Sequence, residues 1–287
     1  MINKPRVRKS LLLGAFFQQE AEIRQLLAGR GVHTADEVED RIARWRKGRE
    51  AFEQSQEWGN AEPPEVQDLP PELVPKVEEL AQTDLFRSSV QGLPYVVAVV
   101  SLGELTAFQF TVDKPYCDTF TVPAGRSLGD VAGITLPTEP PKFPLRVGAD
   151  GLGFTVSAPG PNLRVAGMEF KSAEVGSMRL TVDLTFGSPF VQVAEFQGRL
   201  ILRNGYHRLV SLLHQGVNHA PVILLHGTDY SQTGAAGPGF FQPSIVMGAK
   251  PPLLKHYLSS FAIEFDAVDL HKTIRLRPDE FQVPVPE

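Results

Sequence analysis

The chain is poor in cysteine: among 287 residues only Cys117 carries a thiol. That excludes an intramolecular disulfide and any cysteine cluster for zinc or iron–sulfur, and it points to a reducing, cytoplasmic compartment. No apolar run approaches the roughly 18 residues of a membrane-spanning helix. The run "LLLGAFF" (11–17) passes into the charged "QQEAEIRQLL", so it reads as the start of a buried helix rather than the apolar part of a signal peptide. A basic excess is also missing. The net charge of -5 at pH 7 disfavours a surface built to hold duplex nucleic acid, and leaves two local basic runs, "KPRVRK" (4–9) and "RIARWRKGR" (41–49). Catalytic signatures are lacking too. "GAAGPGFF" does not end in Gly-Lys-[Ser/Thr], and no Gly-x-Ser-x-Gly elbow frames Ser231. The candidate metal ligands Asp183, Glu195, His219, His226 and Asp229 stand at no diagnostic spacing, so no metal site is expected.

What is present suits a globular chain with a sizeable core: 42% apolar and 21% charged residues, with 25 Gly and 24 Pro implying many turns. Residues 9–57 carry apolar residues at helical spacing. Thr34 with Glu37 three residues on makes a capping box, so two helices in a hairpin are predicted. "GNAEPPEVQDLPPE" (59–72) reads as an acidic, Pro-rich linker, with a short helix from Pro71 to Phe86. "YVVAVVSL" (95–102) and "FQFTV" (108–112) read as strands, and 121–165 as irregular β structure. "MRLTVDLTF" alternates as a strand, and "FVQVAEF" and "GRLILRNG" form a hairpin across Gln197-Gly198. A helix over 206–215, closed by Gly216, leads to the strand "APVILL". Residues 226–243 form a long Gly-rich loop, "PPLLKHYLSS" starts a short helix, and "FAIEFDAVDLHKTIRLR" holds a closing pair of strands. The expected class is α+β: an N-terminal helical region (1–58), a linker with a short helix (59–93) and a mixed-sheet domain with irregular β insertions (94–287).

The junction "RNGYHR" (203–208) concentrates chemistry. On a helical wheel Tyr206, Leu209, Val210 and Leu213 face inward, Arg208, Ser211 and Gln215 face away, and His207 and His214 flank that outer face. The first turn of a helix has unpartnered N–H groups and a partial positive charge. Gly205 permits close backbone approach, and the Arg208 guanidinium suits phosphate. Together they describe an anion site. The plainer reading is an Asn-Gly turn, with Arg208 paired to an acid and His207 acting as a cap.

The order hairpin, Gly-x-His-Arg, helix, Gly, then a strand beginning with Pro-Val, in "VQVAEFQGRLILRNGYHRLVSLLHQGVNHAPVIL" (191–224), resembles the core of the ParB/sulfiredoxin-like superfamily. The resemblance takes in a core of about residues 178–225 and may be traced back to "VVAVVSLGELTAFQ" (96–109). It implies nucleotide binding: Asn204, Gly205, Tyr206 and Ser211 around the nucleotide, His207 and Arg208 on the phosphates, CTP or ATP as ligand, and Mg²⁺ with it. Glu195, across the hairpin, would be the base or hold the ion. The sulfiredoxin branch has a Cys where this chain has Tyr206, and a phenol cannot replace that thiolate. The ParB branch adds a helix-turn-helix, which the residues after Tyr230 do not resemble.

Three functions follow: a nucleotide-binding protein that hydrolyses or transfers phosphoryl groups; a non-catalytic interaction subunit using this fold as a scaffold, with the N-terminal helices meeting partner proteins; and a DNA-associated factor using the 41–49 face. No membrane partner is expected.

Overall fold

The run "APVILL" has no polar alternation because both of its faces are buried. In the computed structural model it lies in β11 (His219–His226), whose Val222 and Leu224 enter one apolar cluster while Ile223 and Leu225 enter another. The structure describes residues 6–30, 33–60, 64–123, 127–139, 146–149, 154–159, 163–172, 177–185, 187–237, 239–269 and 271–277. The fold is α+β, in two compact units: Met1–Glu139 with Ser188–Asp269, and Pro140–Gly187 with Leu270–Glu287.

The first unit opens with β1 (Val7–Leu12), α1 (Glu20–Arg30) and α2 (Ala35–Gln54), followed by β2 (Val66–Asp68), α3 (Val74–Ala81) and α4 (Asp84–Val90). Next come β3 (Tyr95–Ser101), β4 (Thr111–Asp113), α5 (Lys114–Cys117) and α6 (Leu128–Thr135). The second unit contributes β5 (Arg146–Ala149), β6 (Phe154–Pro159), β7 (Arg164–Ser172) and β8 (Met178–Thr185). The first unit resumes with β9 (Gln192–Phe196), β10 (Arg199–Asn204), α7 (Tyr206–His214), β11, α8 (Pro243–Val246) and β12 (Ile263–Val268); β13 (His271–Leu276) returns to the second.

The main sheet of the first unit has the order β10-β9-β11-β3-β2, with β9 and β11 parallel and the other neighbours antiparallel. The β9–β10 hairpin turns on Gln197 and Gly198, both at positive φ (48° and 74°), the twist a two-residue hairpin turn requires. A second sheet, β12-β1-β4, is antiparallel. The larger core joins Ile23, Leu27, Ile42 and Trp45 of α1 and α2 to Val193, Leu202, Leu209 and Val222. The N-terminal helices therefore share the core of the sheet, and the division at 58 and 93 falls inside one unit. In the second unit β13-β6-β5 form one antiparallel sheet and β7-β8 a two-stranded ribbon.

Several expectations are corrected. Residues 9–12, expected as helix, belong to strand β1, which is the middle strand of its sheet and turns Ser10 and Leu12 inward. The helix expected over 71–86 breaks at Thr83, whose hydroxyl accepts from the Phe86 N–H and starts α4. Residues 128–135, expected as irregular β, form α6, opened by a reciprocal Ser127–Asp130 capping box. The closing strands β12 and β13 pair with β1 and β6 rather than with each other. Among the described residues no helix is long and apolar enough to cross a membrane.

Gly205 joins β10 to α7 at φ 109°, and a Cβ built there would lie 2.7 Å from Val191 Cγ2. Its lack of a side chain serves packing against Val191, the residue that precedes β9. Gly205→Ala should cost about 2–4 kcal/mol, from left-handed backbone strain plus overpacking; urea denaturation checks this, and an unchanged midpoint would remove the constraint.

Candidate functional site

Asn204 ends β10, and its Nδ2 donates to the carbonyls of Ser188 and Phe190, both at 2.8 Å. The Arg208 guanidinium, one turn into α7, donates to the Pro189 carbonyl and, at 3.4 Å, to that of Ile134 in the last turn of α6. Three consecutive carbonyls, 188 to 190, thus occupy donors that the sequence offers to an anion. The Val191 N–H closes the same knot by donating to the Thr135 carbonyl at 2.8 Å. Burial lowers the Arg208 guanidinium to about 10, with the nearby Tyr116 opposing the shift. The carbonyl end of α6 supplies the negative potential that a half-buried cation requires.

The remaining predicted residues separate. His207 faces the other flank, its Nε2 3.8 Å from Asp113 Oδ2 and its ring edge-on to Tyr116 at 4.9 Å between centroids. Burial pushes the Asp113 carboxyl up, but His207, Ser10 and Arg8 around it more than offset this and hold it below its ordinary value. Tyr206 is buried, and its hydroxyl accepts from the Phe108 N–H at 2.8 Å. Burial raises that hydroxyl above the usual phenol range. Ser211, expected on the outward face, is buried and donates to the Phe120 carbonyl at 2.7 Å, beside Gln215 Nε2 at 2.8 Å. The wheel placed it outside because the chain that follows α5 covers this side of α7 too.

Glu195 does not join the junction. It stands opposite Leu200 in the hairpin, while Asn204 stands opposite Gln192, three residues down β9. At about 3.3 Å per residue this is a separation of roughly 10 Å along the strand. Its Oε2 meets His226 Nδ1 at 2.8 Å instead. Cys117 is buried, and that burial pushes its thiol up to about 12. Among the described residues no group of three or more His, Cys, Asp or Glu is arranged to hold a metal ion.

The basic runs are largely neutralised. Arg8 meets Asp113 and Asp269, and Lys9 meets Asp266. On α2, Arg41 and Arg44 pair with Asp40, Arg46 with Glu20 at 2.6 Å and Arg49 with Glu53 at 2.9 Å. This leaves the 41–49 face little free charge for phosphates.

One charged cluster has no single-motif signal in the sequence. Lys255 bridges Glu57 at 2.5 Å and Glu104 at 2.9 Å, and the buried His256 lies 3.2 Å from Glu57. The Leu253 N–H donates to His256 Nδ1 at 2.9 Å, so in the neutral ring Nε2 carries the proton and donates to Glu57. Phe16, Trp58 and Phe261 surround the imidazole. The cluster fastens the end of the α2 region to the segment before β12.

The chain matches no protein-family model, no curated protein and no solved structure.

Two measurements test this account. Arg208→Ala should destabilise the nucleotide-free protein by about 2 kcal/mol, since charged hydrogen bonds to two carbonyls are lost; an unchanged denaturation midpoint would release Arg208 from its structural role. Burial, partly opposed by Glu57, lowers His256 from 6.5 to about 4. The unfolded chain then binds the extra proton between these values. The contribution is intact above about pH 6.5 and falls by about 3 kcal/mol as the pH drops to 4. His256→Gln should flatten that part of a stability–pH profile; a slope the same as the parent's would place its cause elsewhere.

Proposed function

We propose that this protein is a non-catalytic interaction subunit that keeps a ParB/sulfiredoxin-like core as a scaffold. The observation that carries the reading is the saturation of the junction by the chain itself. Asn204 and Arg208 hold the carbonyls of residues 188–190, and Ser211 holds that of Phe120. Gly205 is closed by Val191, and Glu195 is paired with His226 away from the junction. A nucleotide would have to displace main-chain carbonyls to reach the guanidinium. Among the described residues, one surface available for a partner is the β7–β8 ribbon, whose large apolar side chains are exposed.

A second reading, binding of CTP or ATP with Mg²⁺ and phosphoryl chemistry, is favoured by one feature: α7 begins without a side-chain cap, directly beside a guanidinium. Its first-turn N–H groups and Arg208 would take the phosphates, with His207 moving in from Asp113.

Thermal denaturation with CTP, ATP, GTP and their diphosphates, with and without Mg²⁺, separates the two. A ligand at a hundred times its dissociation constant adds about 2.7 kcal/mol to stability. The interaction reading expects no shift; a shift with any nucleotide that Arg208→Lys abolishes would replace it with the second.

A further inference from the structure

A two-stranded ribbon standing alone is marginally stable in water. The β7–β8 ribbon is strongly two-faced. Its register sets Met168 opposite Val182, Phe170 opposite Leu180 and Ser172 opposite Met178, and opposite residues of an antiparallel pair share a face. The reverse face carries Glu169 opposite Thr181, Lys171 opposite Arg179 and Gly167 opposite Asp183, with Lys171 and Glu169 paired at 2.9 Å.

The alternation would fail at Val165, three residues before Met168. The irregularity between Val165 and Gly167 takes up one residue, Ala166, and Val165 then stands opposite Leu184. Leu184 is two residues from Val182, so both belong to the apolar face. A bulge in register with the hydrophobic pattern keeps one face apolar along the whole ribbon.

That face is open. Val165 is 43% exposed, Met168 63%, Phe170 66%, Met178 73% and Leu180 49%. Five such side chains present roughly 500 Å² of apolar surface, at the upper end of what a monomer usually leaves uncovered.

Resting on the interaction reading above, we infer that the apolar face of the β7–β8 ribbon pairs with the same face of a second copy of this chain. Two such faces, fully covered, bury about 1,000 Å² together, the lower bound for a specific interface and the size of a weak, reversible dimer. The face carries no charge, so it selects neither nucleic acid nor a charged peptide. A sheet face packs on another sheet face about 10 Å away, with the side chains interleaved. An isologous contact demands a self-complementary patch, and a chargeless face with Phe170 flanked by Met168, Met178 and Leu180 meets that demand. A lipid surface would instead favour basic residues beside the apolar ones, and here both signs alternate on the reverse face.

Sedimentation velocity on the full chain, from about 1 to about 100 μM, tests this. The parent should be a dimer, and Phe170→Glu should weaken it about 30-fold or more. Thr181→Glu, on the reverse face, should leave it unchanged. Far-UV circular dichroism, together with the rate of tryptic cleavage after Lys171 and Arg179 within the ribbon, reports whether each variant keeps the ribbon folded. Met178→Glu, at the open end of the ribbon, replaces Phe170→Glu if that chain does not fold. A parent that stays monomeric, or a dimer that the apolar-face variants weaken no more than Thr181→Glu, overturns the pairing. These outcomes are independent of a nucleotide-induced thermal shift, so loss of the dimer and loss of the interaction reading are separately visible.

Discussion

Three successive main-chain carbonyls, at Ser188, Pro189 and Phe190, are held by the side chains that open α7. The rest of the first unit depends on this contact. The chain leaves that unit after Glu139 and returns at Ser188, so the knot lies where a 48-residue excursion, Pro140–Gly187, begins and ends. Without it, the carbonyls leading into β9 and those closing α6 would have to find other donors. Arg208 answers both needs with one guanidinium, because a planar cation can serve two acceptors at once. An anion site and a structural clasp call for the same donors in nearly the same places. Which one a protein has is decided by whose oxygen atoms fill it.

The same economy recurs at the other end of the unit. Glu57, Lys255, Glu104 and His256 form a compact set of charges under aromatic rings, and Trp58 Nε1 donates to the Pro251 carbonyl at 2.9 Å. These contacts tie residues far apart in sequence, and they account for the N-terminal helices being part of the main core. Helix α2 contributes Ile42 and Trp45 inward while its arginines are matched by acids outward. A helix built in this way is an amphipathic wall rather than a basic arm.

The scaffold proposal rests on where the polar atoms go. In the first unit the distinctive side chains are spent on holding the chain together. The second unit instead presents an apolar ribbon face to solvent while its charges lie on the reverse. Proteins that only need to be soluble do not usually keep such a face. On the interaction reading proposed above, one unit organises itself internally and the other offers a surface.

Much of the fold was legible in the residues. The Gln197-Gly198 hairpin, the helix after Gly205, the Thr34 capping box and the buried run in β11 are each dictated by local rules of dihedral preference, capping and periodicity. "SLGD" carried a capping signal for α6 that its Gly- and Pro-rich surroundings obscured. Strand β1 was misread because three leucines beside a helix look helical, and only two neighbouring strands make them a sheet. At the junction, sequence alone determined that donors would gather at residues 204–208, since side-chain chemistry and a Gly at positive φ are local properties. Tertiary structure decided that their acceptors are the carbonyls of residues 188–190, that Ser211 lies under Phe120 and that Glu195 faces His226. Those pairings depend on segments between 14 and 91 residues away along the chain, and nothing in a short window records which distant backbone will arrive.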